Sequence, residues 1–193
     1  MANSDTVFGF REVKKSDPRF YQSFAIAAGY ATALAIGDAV EQELTMSTPA
    51  GYEHGLPNIK VLAAGQLDAA GVIVGFEGPP NRDNRFQNYS AASTASVAIV
   101  NVDPNARYVV QEDSVGGAIS SITVGQLCDL IDAGVDTATG SSGQELDSST
   151  ITTSGQFRVR ELYRAADNAI GTNALWIVSW SEHMDVGAPV AVE

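Results

Sequence analysis

Apolar positions along this chain fall in short runs broken by Gly, Pro, Asn, Asp and Ser, a spacing that predicts strands more than helices. Leu67 to Phe76 closes on Val72-Ile73-Val74 just after Gly71. Val97 to Val102 reads VAIVNV and stops at Asp103-Pro104-Asn105, a turn sequence; Arg107 to Gln111 (RYVVQ) follows at once. The two runs are therefore expected as neighbouring strands, the turn by itself leaving open whether they pair directly. Phe157 and Val159 alternate with Arg158 and Arg160, as in a half-buried strand. Leu175 to Trp180 (LWIVSW) is apolar on both faces, with Trp176, Val178 and Trp180 on one and Leu175 and Ile177 on the other. Such a strand belongs at the centre of a sandwich or barrel, or under an intersubunit contact.

One segment reads as a helix. Thr123 and Gln126 have capping-box spacing, Leu127, Leu130 and Ile131 share a helical face, and Gly134 is placed to end it. Ala25 to Ile36 is ambiguous, because its alanines favour helix while Gly29 and Thr32 oppose it. Loops are expected at Thr48–Pro57, at Gly78–Asn84 and across Ala133–Gly143, where breaker residues cluster. The predicted class is all-β, or a β-rich α+β fold. It has a barrel or sandwich body with one short helix, residues 1–20 forming an extended N-terminal arm and residues 21–193 a single β-rich domain.

Composition narrows the function more than the fold. The chain has 193 residues, 45% of them apolar, which is enough for one well-filled core. Its net charge is −12, from 11 basic against 23 acidic residues, so the bulk surface repels phosphate backbones and nucleic acid is not expected as a partner. The first residues, MANSDTVFGFREVKK, lack the apolar stretch of a signal peptide. Phe24 to Ile36 is too short and too interrupted to span a bilayer, so a soluble protein without a membrane partner is expected.

The inventory for catalysis is sparse. Two histidines and one cysteine stand far apart in sequence, and those residue types carry most acid–base and nucleophilic chemistry near neutral pH. The common nucleotide and metal motifs are absent. Gly140-Ser141-Ser142-Gly143 lacks the spacing of a nucleophile elbow and reads as a turn. His183, two residues before Asp185, has no identifiable nucleophile beside it; His54 reads as an exposed loop residue and Cys128 as a small buried one. Asp129, Asp132 and Asp136, or Asp83, fit no calcium loop and read as solvated carboxylates. No enzymatic activity, metal or cofactor is expected.

Binding features are easier to find. Arg158, Arg160 and Arg164 concentrate basic charge in an acidic chain, and Arg158 and Arg160 at alternate positions point the same way. Arginine makes bidentate contacts to carboxylates, so this stretch is a candidate docking surface for acidic groups. Trp176 and Trp180 read as core or interface residues, with a sugar-stacking platform as the alternative.

Several stretches, in order and spread over nearly the whole chain, resemble the decoration, or cement, proteins of tailed-bacteriophage heads. Phe8-Gly9-Phe10-Arg11-Glu12-Val13 is similar to their aromatic-Gly-aromatic-Arg opening. Gly37-Asp38-Ala39-Val40 resembles their G-D-x-V element, and Ala70 to Phe76 their apolar G-V-x-x-G strand. Val102-Asp103-Pro104-Asn105 with Tyr108 and Gln111 resembles their D-P-x segment. Asp167 to Gly171, followed by LWIV and His183, is similar to their C-terminal part. The resemblance implies a non-enzymatic structural protein on the capsid exterior of a virion. It would bind the major capsid protein, cement neighbouring subunits and assemble as a homo-oligomer, a trimer in preference to a dimer. Partner-binding residues are then expected among Phe8, Phe10, Arg11, Arg158, Arg160, Trp176 and Trp180, with the arm reaching across a neighbouring subunit. The alternative is a carbohydrate- or receptor-binding β-module of the virion.

Overall fold

A computed structural model describes residues 3–66, 68–77, 88–113, 115–120, 123–151 and 155–184. The fold is all-β, and no helix of seven or more residues occurs among them. Five strands close into a barrel: β2 (Tyr21–Ile26), β4 (Ala39–Ser47), β5 (Leu56–Val61), β6 (Ala69–Glu77) and β8 (Ser96–Asn101), in the order β2-β5-β4-β6-β8. Closure rests on one parallel step, Ala25 beside Asn58, while β2 and β8 run antiparallel from Tyr21↔Asn101 to Ile26↔Ser96. Phe24, Ile26, Leu34, Val40, Ile59, Ile73, Ala98 and Val100 fill this barrel.

A second sheet of five strands packs beside it in the order β1-β9-β14-β13-β10: β1 (Arg11–Glu12), β9 (Arg107–Gln111), β14 (Leu175–Trp180), β13 (Phe157–Leu162) and β10 (Leu127–Cys128). A hairpin of β11 (Leu130–Asp136) and β12 (Ser141–Leu146), and a short pair of β3 (Leu34–Ala35) with β7 (Tyr89–Ser90), complete the architecture. The larger core lies between these units. Phe10 stacks on Phe157 with ring centroids 4.5 Å apart, and Phe157 stacks on Trp180 at 4.6 Å. Tyr108 meets Trp180 edge-on, while Leu62, Val72, Leu130, Leu146 and Trp176 close the cluster.

The strand expectations for Arg107–Gln111 and Leu175–Trp180 match the observed bounds, and β14 is the central strand of its sheet. Val97–Val102 and Arg107–Gln111 fall in different sheets. The Asp103-Pro104-Asn105 turn hands the chain from the barrel to the second sheet, so β8 and β9 do not pair. The expected loop at Ala133–Gly143 is mostly the β11–β12 hairpin. The expectation at Gly78–Asn84 lies outside the described residues.

The expected helix from Thr123 to Gly134 is a strand region. Gly125 takes φ +95°, which a right-handed helix does not admit, and its amide donates to Val159 at 2.8 Å. Val159 returns a bond to Gln126 at 3.0 Å. With those groups committed to β13, Leu127 and Cys128 continue as β10 against Arg158 and Phe157. Tertiary pairing here overrides a helical spacing that the sequence carries.

The described part of the expected arm, residues 3–20, does not stand away from the body. Phe10 is 2% exposed in the larger core, and β1 pairs Arg11 with Val109 and Glu12 with Tyr108. Gly9 is required where the arm turns inward: its φ is +70°, and a Cβ there would lie 2.5 Å from the Gly37 carbonyl oxygen. Arg11–Glu12 is thus an edge strand of the second sheet.

Candidate docking surface

The second sheet has two unlike faces because side chains alternate along each strand. Tyr108, Val110, Val159, Trp176, Val178 and Trp180 point into the core. The opposite face is read from the register. At one end Gln111 lies beside Leu175; in the middle Arg11, Val109, Ile177 and the exposed Glu161 form a row; at the far end Arg107, Ser179 and Arg158 form another. A bulge between Val159 and Glu161 brings Arg160 onto this face as well.

Four of the chain's 11 basic residues therefore share one sheet face: Arg11, Arg107, Arg158 and Arg160. The arginines are held in place. Arg160 donates from Nε to Ser179 Oγ at 2.8 Å, and Arg158 from Nη1 to the Gly125 carbonyl at 2.6 Å. The Arg11 guanidinium lies over the Phe8 ring, 4.4 Å from its centroid. Burial, and then the charges of Arg158 and Arg107, push Arg160 below its ordinary value, so these groups repel one another. Among the described residues the ion pairs within 4.0 Å are Arg19–Asp17 and Lys60–Glu41, and neither lies on this face.

The Gln111 end of the face is covered. Asn3 donates to the carbonyls of Ala169 and Thr172 at 2.8 and 2.9 Å, and the Thr6 amide donates to Gln111 Oε1 at 3.0 Å. A cavity of about 260 Å³ remains there between Phe8, Gln111 and Leu175. Another, of about 430 Å³, lies between the first residues and the barrel, with Phe8, Arg11, Lys15 and Ile36 in its wall. At the Arg107–Ser179–Arg158 end Arg107 and Arg160 are exposed, Arg158 is half-buried and Ser179 is buried beneath them.

Sequence reasoning found part of this surface. Phe8, Arg11, Arg158 and Arg160 meet on it or at its margin. Phe10, Trp176 and Trp180 do not: at 2%, 1% and 7% exposure they are core residues on the other side of the sheet, so none is available as a partner contact. Burial of both tryptophans also removes the sugar-stacking platform, which needs open rings. Arg164 lies past the end of β13, beside a cavity with Glu161, Tyr163 and Asn168. Arg107 was missed, although RYVVQ opens on it: it is the exposed position of a strand buried at its other four.

No family model, curated protein or solved structure matches this chain. Its chemistry is read from its own residues.

The remaining candidates for chemistry are accounted for locally. His183 is 2% exposed and packs edge-on against Trp180, and its sequence partner Asp185 lies outside the described residues. Cys128 is fully buried, and burial pushes its thiol up to about 12, which leaves it un-ionised and inert. Asp132 accepts from the Gly134 amide at 2.9 Å, while Asp136 accepts from the Ala138 amide at 2.9 Å and the Thr139 hydroxyl at 2.8 Å, so both shape the hairpin. Asp83 lies outside the described residues. Among the described residues no group of three His, Cys, Asp or Glu is placed to hold a metal ion, and no helix is long and apolar enough to cross a membrane.

One further exposed feature stands apart. In β4 the register breaks between Gln42 and Met46, and the intervening Leu44 is fully exposed. Met46 is 66% exposed beside it.

Proposed function

We propose that this chain is a decoration protein of a tailed-phage head. It binds the capsid exterior, cements neighbouring major capsid protein subunits and works without making or breaking a bond. The observation that carries this reading is the face bearing Arg11, Arg107, Arg158 and Arg160, four cations of which three are anchored and none lies within 4.0 Å of a carboxylate among the described residues, in a chain of net charge −12. Such a face is complementary to an acidic protein surface, and the acidic remainder of the molecule disfavours non-specific attachment to nucleic acid.

The convergence of the motif segments also supports the reading. Phe10 of the first segment bonds Gly37 of the second at 2.8 Å. Gly37 and Asp38 in turn exchange bonds with Ile73 of the third at 2.8 and 2.9 Å. Leu44 and Met46 supply a second contact, assigned to self-association into a homo-oligomer. Two separated contacts on each copy make detachment rare even when each is feeble.

The test is to purify virions whose genome encodes this chain and to locate it by mass spectrometry and cryo-microscopy. The reading requires density for it on the outer shell at subunit junctions. Intact particles that lack the chain, or turnover of a small metabolite by the pure protein, would overturn it.

A further inference from the structure

We infer that Arg107, Arg158 and Arg160 form a carboxylate-binding site centred on Ser179, which receives an Asp or Glu side chain from the partner surface. This deepens the docking reading and rests on it for the identity of the partner. Three adjacent strands deliver the groups: Arg107 and Arg158 flank Ser179 in register, and the β13 bulge folds Arg160 onto the Ser179 hydroxyl.

The existing bonds decide which donors are left. Arg158 uses Nη1 on Gly125, so its Nε–Nη2 edge is free, the edge that grips a carboxylate through two parallel bonds. Arg160 uses Nε on Ser179, which leaves its two terminal nitrogens as a forward fork. Both guanidiniums are anchored before any partner arrives, so little rotamer freedom is lost on binding. Gathering like charges is unfavourable, and an anion between them turns that repulsion into attraction.

Phosphate and sulfate also present pairs of oxygens to such donor edges. The carboxylate is favoured because a single acidic side chain brings less negative charge to this acidic molecule than phosphate or sulfate does. The acidic body repels polyanions.

The experiment follows arginine side-chain Nε–H signals of the full-length protein by NMR during titration with glutarate. Sodium chloride at matched ionic strength and sodium phosphate are the comparison arms. Saturable movement of the Arg158 and Arg160 signals by glutarate is expected, with affinity falling at least tenfold in R158Q/R160Q and unchanged in R164Q. Movement that does not saturate, equal movement in chloride, tighter binding of phosphate than of glutarate, or undiminished binding by R158Q/R160Q would each overturn the site. Circular dichroism of the variant, altered at surface positions, checks that it is folded. Binding of the wild-type chain to phage heads is read separately. Heads bound without glutarate saturation remove the site and leave the function, whereas saturation without head binding removes the function and leaves the site.

Discussion

The Phe10 amide donates to the Gly37 carbonyl at 2.8 Å, and this bond fixes the first residues of the chain to the edge of the barrel. It places the Phe10 ring between Tyr108 and Phe157 rather than on a neighbouring molecule. Phe10→Ala should therefore cost about 3–5 kcal/mol, the usual range for emptying a buried aromatic site. Deletion of residues 2–15 should leave no cooperatively folded body. Urea denaturation of the two variants checks both expectations.

Gly9 lies where a side chain has no room, against Gly37 and Ser142. Gly9→Ala should destabilise the protein by more than 1 kcal/mol, since it combines a steric clash with an unfavourable positive φ. Gly29 is the internal comparison, because a Cβ there meets nothing within 4 Å. Gly29→Ala should be neutral or stabilising by about 0.4–1 kcal/mol. Thermal melts of the pair separate a conformational requirement from a general intolerance of substitution.

Two buried carboxyls give stability a direction with pH. Burial raises Asp38 from 3.8 to about 7, against opposing bonds from Ser142 and the Ala35 amide. Burial likewise raises Glu112 from 4.5 to about 7, although its Oε2 accepts from the Ile119 amide and Trp176 Nε1. A raised carboxyl binds its proton more tightly in the folded state than in the unfolded one. Its contribution is complete below the unfolded value near 4 and is lost as pH rises toward about 7. The melting temperature should thus rise on going from pH 7.5 to pH 5.5, and D38N or E112Q should each flatten that rise. Calorimetry across the interval is the measurement.

Leu44 and Met46 make no contribution to the core. L44S/M46S should leave unfolding free energy within about 0.5 kcal/mol of the parent, as for other surface changes. It should at the same time shift the oligomer toward monomer in sedimentation velocity.

Strands whose apolar pattern is strict were readable from the sequence. RYVVQ and LWIVSW specify their elements through β-branched and aromatic residues, and both strands are buried at nearly every position. β4 and β12 were not readable, because Glu41-Gln42-Glu43 and Ser141-Ser142-Gly143-Gln144 lack apolar alternation and owe their form to barrel closure and hairpin pairing. The Thr123–Gly134 region failed for a different reason: its apolar spacing suits a helix, and only the non-local bonds of Val159 decide against it. The docking face was half legible. Arg158 and Arg160 announce themselves by proximity in sequence, but Arg11 and Arg107 reach the same face only through antiparallel pairing across β1, β9, β14 and β13.

The central claim is adhesion through the arginine face, and co-sedimentation with undecorated phage heads tests it most directly. The wild-type chain should pellet with heads, saturate and weaken as salt rises. R107Q/R158Q/R160Q should bind at least tenfold more weakly, since truncating desolvated charged contacts costs about 2–5 kcal/mol. Equal binding by the triple variant, or no binding by the wild type, would contradict the account.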